Sequence, residues 1–265
     1  MKPSHPYPAA TARAYWQQLV QTVPLVHCLT NDIAKNFTAN ALLAAGASPA
    51  MIEAEEECGE FTAAADALLI NIGTLHNGRL PGMRRSARSA AKNDKRWVLD
   101  PVAVGDLLAY RSDFAREMLA FHPTVVRGNP AEILWLNGQA AQLRGADSLS
   151  TADEAAEAAI EFAQKQQCVV LVSGARDYIT DGETLWYNDG GDPRQTRLTA
   201  CGCALSALVA AFCAVAPPLD AAASAGWLMK QAGGYAARTT VGMGAFATAL
   251  LDALSHDAPY LQESP

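Results

Sequence analysis

The architecture of this chain can be approached from one short apolar segment, Ala67-Leu68-Leu69-Ile70-Asn71-Ile72. Asn71 is its only polar residue, so the segment lacks the alternation of polar and apolar side chains that marks a strand with one face in water. Continuous apolar runs of this length are typical of strands that are buried on both faces of a parallel sheet. The segment therefore predicts a parallel sheet that is covered by helices on both faces.

Four further apolar runs support this prediction. They lie on either side of the first segment, at Leu25–Leu29, Trp97–Leu99, Thr124–Val126 and Cys168–Val172. Helical patterns separate the runs, and strands that alternate with helices favour an α/β fold with a mostly parallel central sheet between two helical layers. The chain contains no internal repeat, low-complexity tract or linker, so we expect a single domain over residues 1–265.

The ends of one early helix can be predicted from its capping residues. Asn31 is the expected N-cap, and Gly46 is the expected residue after the last turn. Ile33, Phe37 and Ala41 follow each other at a spacing of four, which predicts that they share one face of this helix. The helix would connect the first apolar run with the rest of the sheet.

The second half of the chain carries a capping box, a hairpin and then helices. Thr151 and Glu154 have the spacing of a capping box at the start of a helix. Segment 178–187 contains two apolar runs around Asp-Gly-Glu, which predicts a hairpin at an antiparallel edge of the sheet. Beyond the hairpin the pattern is helical, with breaks at Pro217 and around Gly242.

Composition and charge exclude several classes of function. The formal net charge is −7, and basic residues form no dense cluster, so we expect neither nucleic acid nor a membrane surface as a partner. The sequence shows neither a membrane-spanning apolar stretch nor a signal-peptide pattern. The six cysteines form no CxxC pair, so we expect reduced thiols in a cytoplasmic protein. Zinc at Cys201 and Cys203 is a weaker alternative, because a second ligand pair is missing.

The segment Thr199-Ala200-Cys201-Gly202-Cys203 is the most informative for function. Residues 203–212 are apolar almost all round, which predicts a buried helix. The first N–H groups of a helix are unpaired and lie at the positive end of its dipole, so small residues there predict an anion site. The same position predicts a lowered pKa for the Cys203 thiol, which could then act as a base. A turn glycine and a packed cysteine remain the plainer alternatives.

Three charged residues follow strands or cap a helix. Asp100 ends an apolar run, where a carboxylate can organise Mg²⁺ and its water, with a simple turn residue as the alternative. Glu132 lies three residues after Asn129, which predicts a capping role that is compatible with an outer contact to Mg²⁺. Arg127 closes another run and can bind a phosphate through two N–H groups, with a surface ion pair as the alternative.

These residues are expected to meet, because ligands bind beyond the carboxyl ends of parallel strands. An anion site, an arginine, two carboxylates and a candidate base together are what phosphoryl transfer requires. The usual phosphate-binding pattern GxxxxGK[ST] does not occur in the sequence. The start of the buried helix would therefore have to hold the phosphate.

Long segments of the chain also match a known family. The matching segments are Pro24–Asp32, Asn36–Asn40, Gly46–Met51, Leu69–Leu75, Leu99–Val102, Arg127–Ile133, Gly190–Pro193, Gly202–Ser206 and Gly242–Phe246. On these segments the chain resembles the hydroxyethylthiazole kinase family. The resemblance implies a three-layer ribokinase-like fold and ATP-dependent phosphorylation of 5-(2-hydroxyethyl)-4-methylthiazole in thiamine salvage. It also implies a homotrimer whose thiazole site is shared between subunits.

The resemblance assigns roles to individual residues. Pairs of residues are implied to contact the thiazole (Met51, Ala200), contact ATP (Arg127, Ser173), organise Mg²⁺ and phosphate (Asp100, Glu132) and form the anion hole (Gly202, Cys203). Cys203 would lie where other ribokinase-like enzymes carry the catalytic aspartate. ATP would be the co-substrate and Mg²⁺ the cofactor.

Three segments depart from the family pattern. Where the family usually has Gly-Thr-Gly-Cys or Gly-Ala-Gly-Cys, this chain has Ala200-Cys201-Gly202-Cys203. The usual Thr-Gly-Glu is replaced by Ser173-Gly174-Ala175, and the usual Gly-Pro-Gly-Ser-Phe is replaced by Gly-Met-Gly-Ala-Phe at 242–246. The lost glycine matters if its position requires a positive φ or a close approach of substrate. The departures at Ala200 and Ala175 favour one alternative, a catalytically weakened thiazole-binding protein, and a kinase for another small heterocyclic alcohol is a second alternative. The thiazole-side match at 47–51 argues against the second.

Overall fold

The computed structural model describes residues 3–139, 143–144, 147–148 and 151–255. Within them the strands are β1 (His5–Pro6), β2 (Leu25–Leu29), β3 (Ser48–Ala50), β4 (Ala67–Asn71), β5 (Trp97–Asp100), β6 (Val125–Gly128), β7 (Leu143–Arg144), β8 (Asp147–Ser148), β9 (Val169–Val172), β10 (Asp177–Thr180) and β11 (Leu185–Asn188). The α-helices are α1 (Ala9–Thr22), α2 (Lys35–Ala45), α3 (Glu55–Ala64), α4 (Leu80–Lys92), α5 (Ala109–Leu119), α6 (Pro130–Leu136), α7 (Ala152–Gln166), α8 (Cys201–Cys213), α9 (Pro218–Thr239) and α10 (Met243–Leu254). All five predicted apolar runs are strands.

One large sheet organises the fold. Its strand order is β1-β11-β10-β9-β6-β5-β4-β2-β3. The six strands from β9 to β3 run parallel, whereas β10 is antiparallel to both of its neighbours. Asn71 pairs with Asp100, and Gly128 pairs with Val172, so the carboxyl ends of the parallel strands lie at one edge. We call this edge, with the helix and loop ends next to it, the carboxyl edge.

The central strands are buried on both faces, as their continuous apolar sequence predicted. Along β4, Leu69 packs into a core that includes side chains of α1, α2, α8, α9 and α10. Leu68 and Ile70 point the other way, into a core that includes side chains of α3 to α7. Each fully buried aliphatic side chain contributes about 1.5–3 kcal/mol through burial. The mostly parallel three-layer α/β fold is thereby confirmed, and no helix of the described chain is long and apolar enough to cross a membrane.

The prediction for the first helix was wrong at its start. Helix α2 begins at Lys35, and the side chain of Asn31 instead accepts a hydrogen bond from Ala34 N at 3.0 Å, in the turn that precedes the helix. Ile33 lies in that turn and is 66% exposed, so it does not share the buried face of Ala41. The side chain of Asn31 has partners elsewhere in the fold, which spacing along the chain could not reveal. Gly46 ends the helix as predicted, with φ of 95°.

The predictions for the second half were confirmed except for the sheet edge. Thr151 and Glu154 form a capping box, β10 and β11 form the hairpin, and helices follow it. However, β11 does not lie at the edge, because β1 pairs with it in parallel. Tyr7 anchors the end of β1, since its N–H donates to Tyr187 O at 2.9 Å and its hydroxyl to Asp220 Oδ1 at 2.9 Å. A two-residue strand that contains a proline gives no periodicity from which to predict it.

Candidate active site

Helix α8 begins at the carboxyl edge of the sheet. Ala200 precedes it with φ of 71°, in the left-handed region, and the helix starts at Cys201. A Cβ atom on Gly202 would lie 2.8 Å from Nη1 of Arg127, so glycine is required for the guanidinium to lie against the helix start. The first-turn N–H groups and the guanidinium together concentrate positive charge there. The structure thus brings Gly202 and Arg127 together in an arrangement that suits a phosphate.

Cys203 lies in the first turn of α8, but its thiol does not have the predicted acidity. Burial, and secondarily the carboxyl of Asp100, raises its pKa to about 11. The amide of Asn31 donates a hydrogen bond to Sγ at 3.2 Å, which opposes this shift only in part. The helix start is buried among other groups, and the loss of water outweighs the helix dipole. The prediction of a lowered pKa was therefore wrong, and the thiol is protonated near neutral pH.

Asp100 is placed at the carboxyl edge and is not an ordinary turn residue. Its side chain is 1% exposed. Oδ2 accepts hydrogen bonds from Asn71 Nδ2 at 2.6 Å and from Ser206 Oγ at 2.7 Å, and Nη1 of Arg127 lies 3.8 Å away. Burial raises the pKa of the carboxyl, while Arg127, Ser206 and Asn71 each lower it. Oδ1 is buried without a hydrogen-bond partner in the described chain.

Glu132 has the predicted capping role, and the charge of Asp100 affects its ionisation. Its Oε2 accepts from Asn129 N at 2.7 Å, in a full capping box at the start of α6. Its Oε1 accepts from Ala103 N at 2.7 Å, in the loop after β5. Burial first, and the charge of Asp100 second, raise its pKa to about 7. The two carboxyl groups therefore share one buried site.

The donor set fits Mg²⁺ better than a metal that is held by protein ligands alone. The orphaned Oδ1 of Asp100 is a buried carboxylate oxygen available to a cation or its water. Among the described residues, no group of three or more His, Cys, Asp or Glu side chains is placed to hold a metal. The described residues around Cys201 and Cys203 therefore offer no zinc-binding cluster. Mg²⁺ typically keeps several waters and takes one or two carboxylates together with substrate phosphates.

Ser173 lies beside Arg127 at the end of β9. Nη2 of Arg127 donates a short hydrogen bond to Ser173 Oγ. Arg127 Nε is buried and has no partner in the described chain. The structure thus brings together the two residues expected to contact ATP.

Lys230 holds the loop that follows Ser173. The Nζ of Lys230 reaches from α9 and donates to Gly174 O, to Ala175 O at 2.9 Å and to Asp177 Oδ1 at 3.2 Å. Asp177 also accepts from Gly174 N at 2.9 Å, and both charged residues are buried. All three N–H donors of Nζ are used in these contacts, so Lys230 stabilises the conformation of the loop.

Met51 is the predicted site residue that the structure ties least to the others. It follows β3 and is half-buried against the core that contains α8, where Leu205 packs. The neighbouring carbonyl of Ile52 lies 2.8 Å from His27 Nε2 on β2. Because β3 runs parallel to β2, Met51 leaves the sheet at the carboxyl edge. No described hydrogen bond links its segment to Cys203.

Several residues that build the site were missed by sequence reasoning or were predicted for another role. They are Asn31, Asn71, Ser206, Asp177 and Lys230. Three of them are polar residues next to apolar runs: Asn71 in β4, Ser206 in α8 and Lys230 in α9, where Gln231 follows Lys230. A buried polar residue requires partners. This is the signal that could have found these three.

Known proteins resemble the chain over nearly its whole length. Residues 16–258 match the sequence profile of the hydroxyethylthiazole kinase family. A hydroxyethylthiazole kinase of Yersinia enterocolitica is 49% identical over 249 residues, which cover 94% of this chain and 95% of that protein. One of Citrobacter koseri is 50% identical over 241 residues, with 91% and 92% covered. The solved structure of a hydroxyethylthiazole kinase protein from Pyrococcus horikoshii OT3 has a TM-score of 0.85 at 35% identity, with 92% of each chain covered.

The sheet order and the helical layers are those of a ribokinase-like fold, and the relatives named above are kinases. A ribokinase-like superfamily protein from Enterococcus faecalis V583 shares this fold, with a TM-score of 0.62 at 16% identity and 97% and 93% of the two chains covered. Within this class, the chain belongs to the hydroxyethylthiazole kinase family. Its enzymatic class is that of phosphotransferases with an alcohol as acceptor, and a kinase implies ATP as co-substrate.

Proposed function

We propose that this protein transfers the γ-phosphoryl group of ATP to the hydroxyl of 5-(2-hydroxyethyl)-4-methylthiazole, in thiamine salvage. The observation that carries the proposal is the meeting of the α8 start, Arg127 and Asp100 at the carboxyl edge. Phosphoryl transfer is catalysed mainly by positioning and by electrostatic stabilisation. The names of relatives with 49–50% identity support the thiazole as acceptor.

The residues of the carboxyl edge would divide the work. The N–H groups of Gly202 and Cys203 would stabilise the charge on the moving phosphoryl group, and Arg127 with Ser173 would bind the phosphates of ATP. Asp100 and Glu132 would hold Mg²⁺, largely through water. When bound, Mg²⁺ supplies positive charge that neutralises the phosphate oxygens.

The hydroxyl group of the thiazole loses its proton in the reaction, and Cys203 is poorly suited to accept it. A thiol with a pKa of about 11 is protonated at neutral pH, so it is not a ready base. The transition state of phosphoryl transfer is loose in most analyses, and a loose transition state demands little of a base. The proposal therefore uses Cys203 through its backbone N–H and as a neighbour of the alcohol.

The thiazole would lie between Met51 and Ala200, and the family resemblance supports a site shared between subunits of a homotrimer. We infer a single domain over residues 1–265 and a cytoplasmic location from the sequence pattern and the reduced thiols it predicts. Size-exclusion chromatography with light scattering measures the assembly directly. A trimer is the expected result, and a monomer that is fully active would contradict the shared site.

The decisive experiment measures ADP release with Mg²⁺ and ATP, with and without hydroxyethylthiazole, and identifies the phosphorylated thiazole by mass spectrometry. We expect thiazole-dependent release. Asp100→Ala and Glu132→Gln should each lower kcat by about 100-fold or more, because both remove charge placed for the reaction. Ser224→Ala, a buried helical change elsewhere, is the matched control. Unchanged turnover in both carboxylate variants would refute the roles assigned to them.

One structural observation favours a second candidate, a thiazole-binding protein with weakened catalysis. Ala200 occupies a left-handed conformation where the family pattern has glycine, and Ala175 lacks the acid of that pattern. This alternative predicts thiazole binding without ADP release at any Mg²⁺ concentration. A kinase for another heterocyclic alcohol would instead show a higher kcat/KM for that alcohol in a substrate panel.

A further inference from the structure

The two oxygens of Asp100 have different surroundings. Oδ2 accepts two hydrogen bonds, from Asn71 Nδ2 at 2.6 Å and from Ser206 Oγ at 2.7 Å. Oδ1 is buried and has no partner in the described chain. A buried carboxylate oxygen without a donor is costly unless a ligand supplies positive charge or a proton. Oδ1 is therefore the atom that remains for a ligand.

Asn71 is held in a single orientation by its other bonds. Its Oδ1 accepts from Asn31 Nδ2 at 3.0 Å and from Gly73 N at 3.0 Å. Only the amide nitrogen of Asn71 can donate, so the nitrogen must point toward Asp100. This fixes one of the two donors to Oδ2.

Ser206 supplies the second donor from the helix that begins at the anion site. It lies in α8, three residues after Cys203, and is fully buried. A hydroxyl has one proton, and the distance of 2.7 Å to Asp100 favours that acceptor over Gly202 O at 3.4 Å. One rigid helix thus carries both the first-turn N–H groups and the hydroxyl that holds the carboxylate.

We propose that Ser206, together with Asn71, is a positioning residue that turns Oδ1 of Asp100 toward the divalent cation accompanying the phosphates of ATP. Ser206 and the first-turn N–H groups belong to the same helix, so α8 would set the distance between a bound phosphate and the carboxylate. The inference rests on the proposed function for the identity of the phosphate donor. It names a role for Ser206 that the family resemblance does not assign.

The test compares Ser206→Ala with Ser224→Ala. Both serines are fully buried in neighbouring helices, but Ser224 Oγ is hydrogen-bonded to Tyr7 at 3.2 Å. Mn²⁺ is titrated into each protein with a non-hydrolysable ATP analogue and followed by electron paramagnetic resonance. A hydrogen bond to a charged group is worth about tenfold or more in affinity. We expect Ser206→Ala to weaken Mn²⁺ binding by about tenfold and Ser224→Ala to leave it unchanged.

Steady-state kinetics provide the second measurement. Ser206→Ala should raise the half-saturating Mg²⁺ concentration by about tenfold and leave the KM for thiazole nearly unchanged. Ser206→Cys, which keeps a similar volume with a weaker donor, should lie between the wild type and Ser206→Ala, and it replaces Ser206→Ala if that variant does not fold.

Wild-type affinity for Mn²⁺ in Ser206→Ala, or an equal loss in both serine variants, would overturn the inference. The Mn²⁺ titration does not require turnover, so it separates this inference from the proposed function. Absence of thiazole-dependent ADP release with an intact Ser206 effect would remove only the proposed function.

Discussion

Ala200 holds a backbone conformation that alanine disfavours. Its φ of 71° places Cβ against the following carbonyl, at a cost of about 1–2 kcal/mol. The family pattern has glycine at this position, and the sequence comparison left open whether a positive φ is needed there. The structure shows that Ala200 adopts a positive φ directly before helix α8. The strain therefore lies next to the helix start that we propose as the phosphate site.

Replacing Ala200 with glycine should stabilise the protein. We expect Ala200→Gly to raise the free energy of unfolding by about 0.5–1 kcal/mol, because relief of strain exceeds the added flexibility of the unfolded chain. Urea denaturation measures this change. Ala237→Gly, within α9, is the matched control and should lose about 1 kcal/mol. A loss of similar size in both variants would show that the conformation at Ala200 is not strained.

Cys203 shows where inference from sequence to site chemistry stops. Its place at the start of a buried helix was predicted from the apolar run of 203–212, and the structure confirms it. Its acidity was predicted wrongly, because the pKa depends on water and charges that other elements exclude or supply. Asn31, which donates to its sulfur, lies 172 residues away in the sequence. Short-range spacing carries no information about such a partner.

Strand β2 carries a histidine whose proton can be assigned. The Nε2 atom of His27 lies 2.8 Å from Ile52 O, which can only accept, so Nε2 carries the proton. Burial lowers the pKa of the ring, which favours the neutral form with Nδ1 unprotonated. The Thr62 hydroxyl lies 2.9 Å from Nδ1 and 2.8 Å from Cys58 O, and its single proton can serve only one of these two acceptors at a time. His27 thus ties β2 to the segment that follows Met51.

This histidine should make the fold sensitive to acid. A folded pKa below the unfolded value of about 6.5 means that only the unfolded state gains a proton as pH falls through that window. Stability is fully present above about pH 6.5 and decreases below it, by up to about 1.4 kcal/mol per pH unit. Urea denaturation of the wild type and of His27→Gln at several pH values tests this. Parallel curves for the two proteins between about pH 7 and about pH 5 would contradict it.

The loop after β9 depends on a buried ion pair from α9. Removing Lys230 leaves Asp177 buried without its cation, so Lys230→Met should lower the free energy of unfolding by about 3 kcal/mol. Adding Asp177→Asn should recover part of the loss, because the unpaired charge is then gone. A double-mutant cycle tests this: the free energy of unfolding is measured for Lys230→Met, for Asp177→Asn and for the double variant. Simple additivity would show that the two residues do not act as a pair.

Most elements could be predicted from the sequence because burial on both faces leaves long apolar runs. Segments 25–29 and 168–172 are strands almost as predicted, and the capping box at Thr151 starts its helix. The start of α2 could not be predicted, because Asn31 uses its side chain for partners in β4 and α8. The pairing of β1 depends on strand β11, far away in the sequence.

For the whole molecule, β1 protects the sheet edge that β11 would otherwise expose. Exposed edge strands invite pairing with other chains. Deletion of residues 1–8 should therefore lower stability and cause concentration-dependent aggregation, measured by denaturation and light scattering. Tyr7→Phe is the matched control, because it loses the hydroxyl bond to Asp220 and keeps the backbone bond to Tyr187. Aggregation of both variants to the same extent would assign the effect to the tyrosine hydroxyl.

The same short strand has a consequence for the order of events during synthesis. His5 pairs with Trp186, which the ribosome adds about 180 residues later. At about 5–20 residues per second this interval lasts roughly 10–40 s, during which β2 to β6 can emerge and pair. Translation from the amino terminus therefore cannot complete the sheet in the order in which it makes the strands. Strand β1 is therefore made before every other strand of the sheet, yet it is among the last to be paired.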